Sequence, residues 1–177
     1  MSAPMITKRS MGALLAGASA VAMNSVSNAW ADVLPAPTVR PILAISGMIA
    51  VRNFGDEARF DRPMLEALGT TSFKATTPWF EGAVEFEGVP MTRLLHAVGA
   101  SGDKITAVAL NDYTTEIPVS DFDRFGVILA LKRNGEYMSI RDKGPLFIIY
   151  PYDSQPELQN RRYYARSAWQ VARLIVG

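Results

Sequence analysis

The capacity for chemistry in this chain is limited first by two shortages. Among its 177 residues there is no cysteine, and His96 is the one histidine. Disulfides, thiolate nucleophiles and thiolate-rich zinc sites are therefore excluded, and a lone histidine cannot assemble a metal site. Asp121 and Asp123 invite an acid–base reading. Residues two apart on a helical turn point different ways, however, so they read as capping or solvated charges. The groups that remain are groups that hold a ligand. Trp79 follows Pro78 at a strand end, and Asp112 sits in a turn between Asn111 and Tyr113. Arg141 and Lys143 flank Gly144-Pro145, Tyr150 ends an apolar run, and Arg166, Ser167 and Trp169 stand at the start of the final strand. Aromatic faces, guanidinium forks, a turn carboxylate and hydroxyls together describe a recognition pocket.

The elements that must position these groups predict an α+β domain, with one mixed sheet or partial barrel and a few short helices. Residues 32–41, rich in proline, are an extended lead-in to a domain over 42–177. Residues 42–51 form a first strand pair with a bend at Ser46-Gly47. Asp61 caps a short helix through Leu68, with Pro63 in its first turn, where a missing N–H costs little. Residues 72–77 form a strand that stops at Pro78. Leu94, Leu95 and Val98 have helical spacing ahead of a C-cap Gly99. Strands over 105–110 and 114–117 flank the Asn111-Asp112-Tyr113 turn. A hairpin over 127–140 closes through Asn134-Gly135, since both residues tolerate positive φ. Residues 146–150 make a short buried strand, 151–162 are polar and irregular, and 167–176 alternate as a last strand with Ser167 and Trp169 on one face.

The first 31 residues read as an export signal. Lys8 and Arg9 precede an uncharged apolar run over 11–23, and Ala29-Trp30-Ala31 offers small residues for cleavage before Asp32. The run is shorter than the ~20 residues that span a bilayer, so the mature chain is expected in the periplasm with no direct membrane insertion. Without residues 1–31 the balance is 16 Lys and Arg against 17 Asp and Glu. Near-neutrality without a basic stripe argues against nucleic acid as a partner.

Several short motifs occur in a definite order: Ile45-Ser46-Gly47, Thr76-Thr77-Pro78-Trp79, Phe86-Glu87-Gly88-Val89-Pro90, the Leu94-Leu95 helix, Asn111-Asp112-Tyr113 with Ile117-Pro118, Arg141 through Pro145, Tyr150-Pro151, and Ser167 through Gln170. In this order the chain resembles the molybdopterin-binding domain of the sulfite oxidase family, specifically its small cysteine-less periplasmic pterin-binding members. The resemblance implies that fold and a pterin ligand. The family's enzymes hold molybdenum through a cysteine at the end of the strand corresponding to residues 73–77. This chain has Ala75, Thr76 and Thr77 there, and a hydroxyl is a poor replacement for a soft thiolate. The resemblance therefore implies a pterin held without molybdenum. It also implies occupancy reported to the periplasmic part of a membrane-bound cyclic-di-GMP signalling protein. A small molybdenum-cofactor oxidoreductase that binds molybdopterin through a non-cysteine ligand is the alternative.

A pterin is a flat heteroaromatic ring with a donor edge. On that implication the ligand-binding residues are Thr77, Trp79, Asp112, Tyr113, Arg141, Tyr150, Arg166, Ser167 and Trp169. Each has a plainer reading. Trp79 either stacks on the ring or plugs the core, and Asp112 either faces the ring's amino group or bonds its own turn. Tyr113 is a rim hydroxyl or packing. Arg141 stacks on the ligand or stands in solvent. Tyr150 packs its ring while offering its hydroxyl, and Trp169 is pocket floor or core.

Overall fold

The computed structural model describes residues 34–177, so the export segment lies outside the described residues. The strands divide between two sheets. One contains β1 (Leu43–Gly47), β2 (Ala58–Phe60), β5 (Lys104–Ala109), β6 (Thr114–Pro118) and β10 (Val171–Val176), in the order β2-β1-β10-β5-β6. The other contains β3 (Thr71–Thr76), β4 (Ala83–Pro90), β7 (Ile128–Arg133), β8 (Glu136–Tyr137) and β9 (Phe147–Ile149). Its order is β3-β4-β7-β8, with β9 also pairing β7. The expected α+β class is present, but as two sheets with no closed barrel.

The first and last strands explain the division. β1 and β10 pair in parallel, Ala44 opposite Arg173 and Gly47 opposite Val176. This joins the two ends of the domain in one sheet and leaves the middle of the chain to build the other. In the second sheet the register slips between Glu87 and Gly88. A Cβ on Gly88 would lie 2.1 Å from the Leu129 carbonyl oxygen, so β4 and β7 approach this closely only over a glycine.

Four short helices fill the joints: α1 (Arg62–Ala67), α2 (Met91–Ala97), α3 (Ser120–Phe125) and α4 (Arg161–Arg166). Asp61 caps α1 as expected, accepting the Met64 N–H at 2.9 Å. α2 ends with the Gly99 N–H donating to the His96 carbonyl, and His96 itself is exposed. The β7–β8 hairpin turns on Asn134 and Gly135 with φ of 50° and 83°, the left-handed pair its sequence predicts. The structure departs from expectation in four places. Residues 42–51 hold the single strand β1, whose antiparallel partner is β2 rather than a second strand within that stretch. Residues 83–90 form a full strand, the final strand begins at Val171 rather than Ser167, and the polar stretch after Tyr150 contains α4. Among the described residues no helix is long and apolar enough to cross a membrane.

Candidate functional site

The end of β3, the turn after it, the loop before β9 and the entry to β10 converge on one aromatic wall. Trp79 is its centre. The ring meets Phe147, Tyr164, Trp169 and Tyr152 edge to face, with centroids 5.5, 5.9, 5.7 and 6.1 Å away. Such pairings each contribute about 0.5–1.5 kcal/mol beyond area burial. Trp79 and Trp169 are both half-buried, so the wall is packed from behind and open on one side. Phe147, in β9, bridges to Trp169, which fixes the two rings across the strand ends.

Charge sits along the rim. Lys143 holds its Nζ 4.0 Å from the centre of the Trp169 ring. Its backbone lies in the left-handed region, φ 66°, immediately before Gly144-Pro145. Burial pushes the Lys143 ammonium below the ordinary lysine range, and Arg133 adds in the same direction while Asp142 opposes it. Arg133 lies 4.4 Å over the Phe80 ring and grips Asp142 with two nitrogens. At the β3 end the Thr76 N–H donates to Asp153 Oδ2 at 2.8 Å, and the buried Thr77 hydroxyl accepts the Trp79 N–H at 3.4 Å.

Behind the wall is a buried polar network. Asp121 Oδ2 accepts from the Tyr150 hydroxyl at 2.8 Å and from Arg166 Nη1 at 2.6 Å. Tyr152 shares a hydrogen bond with Ser167 and donates to the Tyr163 carbonyl at 3.1 Å. Among the described residues no buried side-chain polar atom lacks a partner. Burial, then donation to Asp121, raises the Tyr150 phenol well above its usual range, and burial does the same to Tyr152.

The nine sequence-predicted residues thus fall into three settings. Thr77, Trp79 and Trp169 share the aromatic wall. Tyr150, Arg166 and Ser167 belong to the network beneath it, with their polar atoms engaged inside the protein. Asp112, Tyr113 and Arg141 are exposed. Asp112 has φ 62° and turns its carboxylate outward to Arg173 at 3.6 Å, while Asn111 accepts the Tyr113 N–H in a local turn. Tyr113 donates to the Ala165 carbonyl of α4 at 3.3 Å. Arg141 stands in a short 3-10 turn; its neighbour Lys143 reaches the wall at Trp169, while Asp142 pairs with Arg133.

Sequence reasoning did not place Phe80 or Tyr164 in the site, named Lys143 only beside Arg141 at the Gly144-Pro145 turn, and set Asp121 aside. Asp121 corrects the expectation of a solvated or capping charge: it is 7% exposed, while Asp123 points out. The two residues diverge as their spacing requires, but the direction of each depends on Tyr150 and Arg166, distant in sequence. Residues 151–162 were expected to be polar and irregular, but the chain turns helical from Arg161. This helix is α4, with Tyr163 buried and Asn160 capping through the Arg162 N–H at 2.8 Å.

Compared with known families, residues 63–152 match the model described as the oxidoreductase molybdopterin binding domain. The span runs from the start of α1 to Tyr152. It contains Trp79 and Lys143 but not Trp169. No curated protein matches the chain.

Proposed function

The chain belongs to the oxidoreductase molybdopterin-binding domain family, and from that membership we propose that it is a periplasmic pterin-binding protein without catalysis of its own. In this reading it reports ligand occupancy to a membrane-bound cyclic-di-GMP signalling enzyme. The observation that carries the proposal is the character of the β3 end. A half-open wall of Trp79 and Trp169, with Lys143 over it, stands where the sequence resemblance puts a metal-binding cysteine, and the chain has no cysteine.

The residues present discriminate between the two halves of a molybdenum cofactor. The metal asks for a soft anionic sulfur from the protein. Thr76 and Thr77 offer neutral hydroxyls, and that of Thr77 is buried and already accepts a backbone N–H. The metal therefore does not fit. The organic ring does: indole edges and faces suit a flat heterocycle, and an ammonium on the rim suits its carbonyl oxygen or an anionic tail.

The family match itself favours a second reading, a small molybdenum-cofactor oxidoreductase that uses Thr76 or Thr77 as an oxygen ligand. One preparation separates the two. The protein is purified from the periplasm, its molybdenum is measured by elemental analysis, and pterin is detected by fluorescence in the acid-released fraction. Pterin without molybdenum is the expected result. Molybdenum near stoichiometric with the chain overturns the binding-protein reading. The signalling arm is read separately, as a change in cellular cyclic-di-GMP on gene deletion that wild-type protein reverses more fully than Lys143→Met does.

A further inference from the structure

On the outer side of the first sheet lies an open groove of about 660 Å³, within the roughly 300–1,000 Å³ typical of ligand clefts. It is separate from the aromatic wall: its floor is Ala44 of β1 and Ala172 of β10, and the 3-10 turn at Ile140 overhangs it. Four arginines line it, Arg40, Arg59, Arg62 and Arg173, against the single acid Glu57, which pairs with Arg59 at 2.8 Å; Asp112, outside the lining, stands 3.6 Å from Arg173. The whole chain has 18 Lys and Arg to 17 Asp and Glu, so this is a local concentration of positive charge.

Two features make the groove a recognition surface. Ala44 is in register with Arg59 on one side and Arg173 on the other. Two guanidiniums therefore flank a small residue, their Cα atoms roughly 10 Å apart by strand spacing. Two of the guanidinium groups are also held in place by aromatic rings: Arg59 stacks 3.5 Å over Phe54 and Arg62 4.1 Å over Tyr137. A fixed guanidinium loses less freedom when it grips a carboxylate. Between the cations, Leu110 and Ile140 are 50% and 58% exposed and offer apolar contacts to a ligand in the groove. The sheet edge beside the groove is closed to strand addition there, because the Asn53 side chain bonds both the N–H and the carbonyl of Arg59. A partner must be read by its side chains.

We propose that this groove docks an acidic peptide segment of a partner protein in an extended polyproline-II-like form, in which carboxylates three residues apart share one face about 9 Å from each other, with aliphatic side chains between them. The proposal deepens the sensor reading by giving the chemistry of the listening partner, and rests on that reading for the partner's role. The probe is a short fluorescent synthetic peptide with glutamates at that spacing and leucines between, titrated into the full mature protein by anisotropy. Saturable binding is expected. It should weaken by about tenfold or more in Arg62→Glu/Arg173→Glu, weaken with added salt, and vanish for the peptide with glutamine in place of glutamate. The glutamine peptide tests charge readout on unmodified protein, so a poorly folding variant leaves the proposal open to refutation. Pterin binding by the same variant is measured in parallel. Its retention, with peptide binding lost, separates this surface from the pterin site. Equal binding of the glutamate and glutamine peptides overturns the proposal. So does unchanged affinity in the arginine variant, or binding to phosphatidylglycerol vesicles but not to the peptide.

Discussion

The Lys143 ammonium stands 4.0 Å from the centre of the Trp169 indole, on the loop that follows Arg141. This relationship shifts attention within the 141–145 motif. Arg141 is the member whose guanidinium invites a stacking role, yet it is exposed, and the cation that reaches the aromatic wall is two residues on. A cation over an indole face contributes about 0.5–2 kcal/mol, more as it is desolvated. Lys143→Met is expected to weaken pterin binding several-fold with little change in melting temperature. Arg141→Ala should weaken it less. Isothermal titration of both variants decides, and a larger loss in the Arg141 variant would restore that residue to the site.

Trp79 serves both as packing and as an open face, and the two roles separate by substitution. Trp79→Ala removes four edge-to-face partners and is expected to cost about 2–3 kcal/mol, short of a fully buried aromatic because the ring is half-open. Trp79→Phe keeps a ring against Phe147 and Trp169 and should cost clearly less, while still lowering pterin affinity. Urea denaturation paired with pterin titration checks this. If Trp79→Phe binds pterin as wild type does, the indole is packing alone.

The buried Asp121 holds two donors at once, so its removal strands both. Asp121→Ala leaves Arg166 Nη1 and the Tyr150 hydroxyl without their acceptor and is expected to cost about 3–5 kcal/mol. Asp123→Ala, exposed on the same helix, should fall within about 0.5 kcal/mol of wild type. Equal denaturation midpoints for the two variants would remove the network from any account of stability.

Local signals carried much of this architecture. Asp61 with Pro63, Gly99 after α2, and Asn134-Gly135 each specify their turn or cap through backbone chemistry that acts within a few residues. Long-range pairing has no such signature. The parallel pairing of β1 with β10 crosses nearly the whole domain, and nothing in either strand announces it. α4 is hidden for another reason: of its six residues only Tyr163 is buried, so no apolar periodicity marks it. The candidate site divides the same way. Trp79 and Trp169 were readable as aromatics at strand ends. That Asp112 would face Arg173, and that Tyr150, Arg166 and Ser167 would bond inward, depended on partners far along the chain.

Asp61 predicts an acid-sensitive clasp. Its buried carboxylate caps α1 through Met64 and also accepts from the N–H groups of Thr38 and Val39 and from the Thr38 hydroxyl. Burial alone would raise its pKa, but these donors together outweigh burial and hold it below the ordinary value of 3.8. A depressed carboxylate contributes stability that is present above 3.8 and lost as pH falls through its folded value. Asp61→Ala is expected to cost about 1–3 kcal/mol at neutral pH and to speed amide exchange at Thr38 and Val39. Unchanged exchange there would mean that the lead-in is held elsewhere.

The tyrosines predict the opposite limit. Tyr150 and Tyr152 are held above the ordinary phenol value of 10.0, Tyr150 by burial and then by its bond to Asp121, Tyr152 by burial. A group whose folded pKa is raised contributes stability that is complete below its unfolded value and is lost as pH rises above it. Melting temperature should therefore fall as pH climbs beyond 10, and the share of tyrosinate absorbance that Tyr150→Phe removes should appear only as the protein unfolds. Lys104 and Lys132, raised by hydrogen bonds to Glu116 and Glu87, act in the same direction but are not phenols. Lys143, lowered by burial, acts in the reverse sense: the unfolded chain binds a proton there that the folded chain resists, so it favours folding as pH rises toward 10.5. Tyr150→Phe keeps the ring and removes one buried phenol. Its melting temperature should decline less steeply above pH 10 than that of wild type, despite a lower starting value from the donor lost to Asp121. Parallel declines in the two proteins, or a tyrosinate signal in the intact fold that is present in wild type and missing from Tyr150→Phe, would show that Tyr150 ionises without opposing the fold.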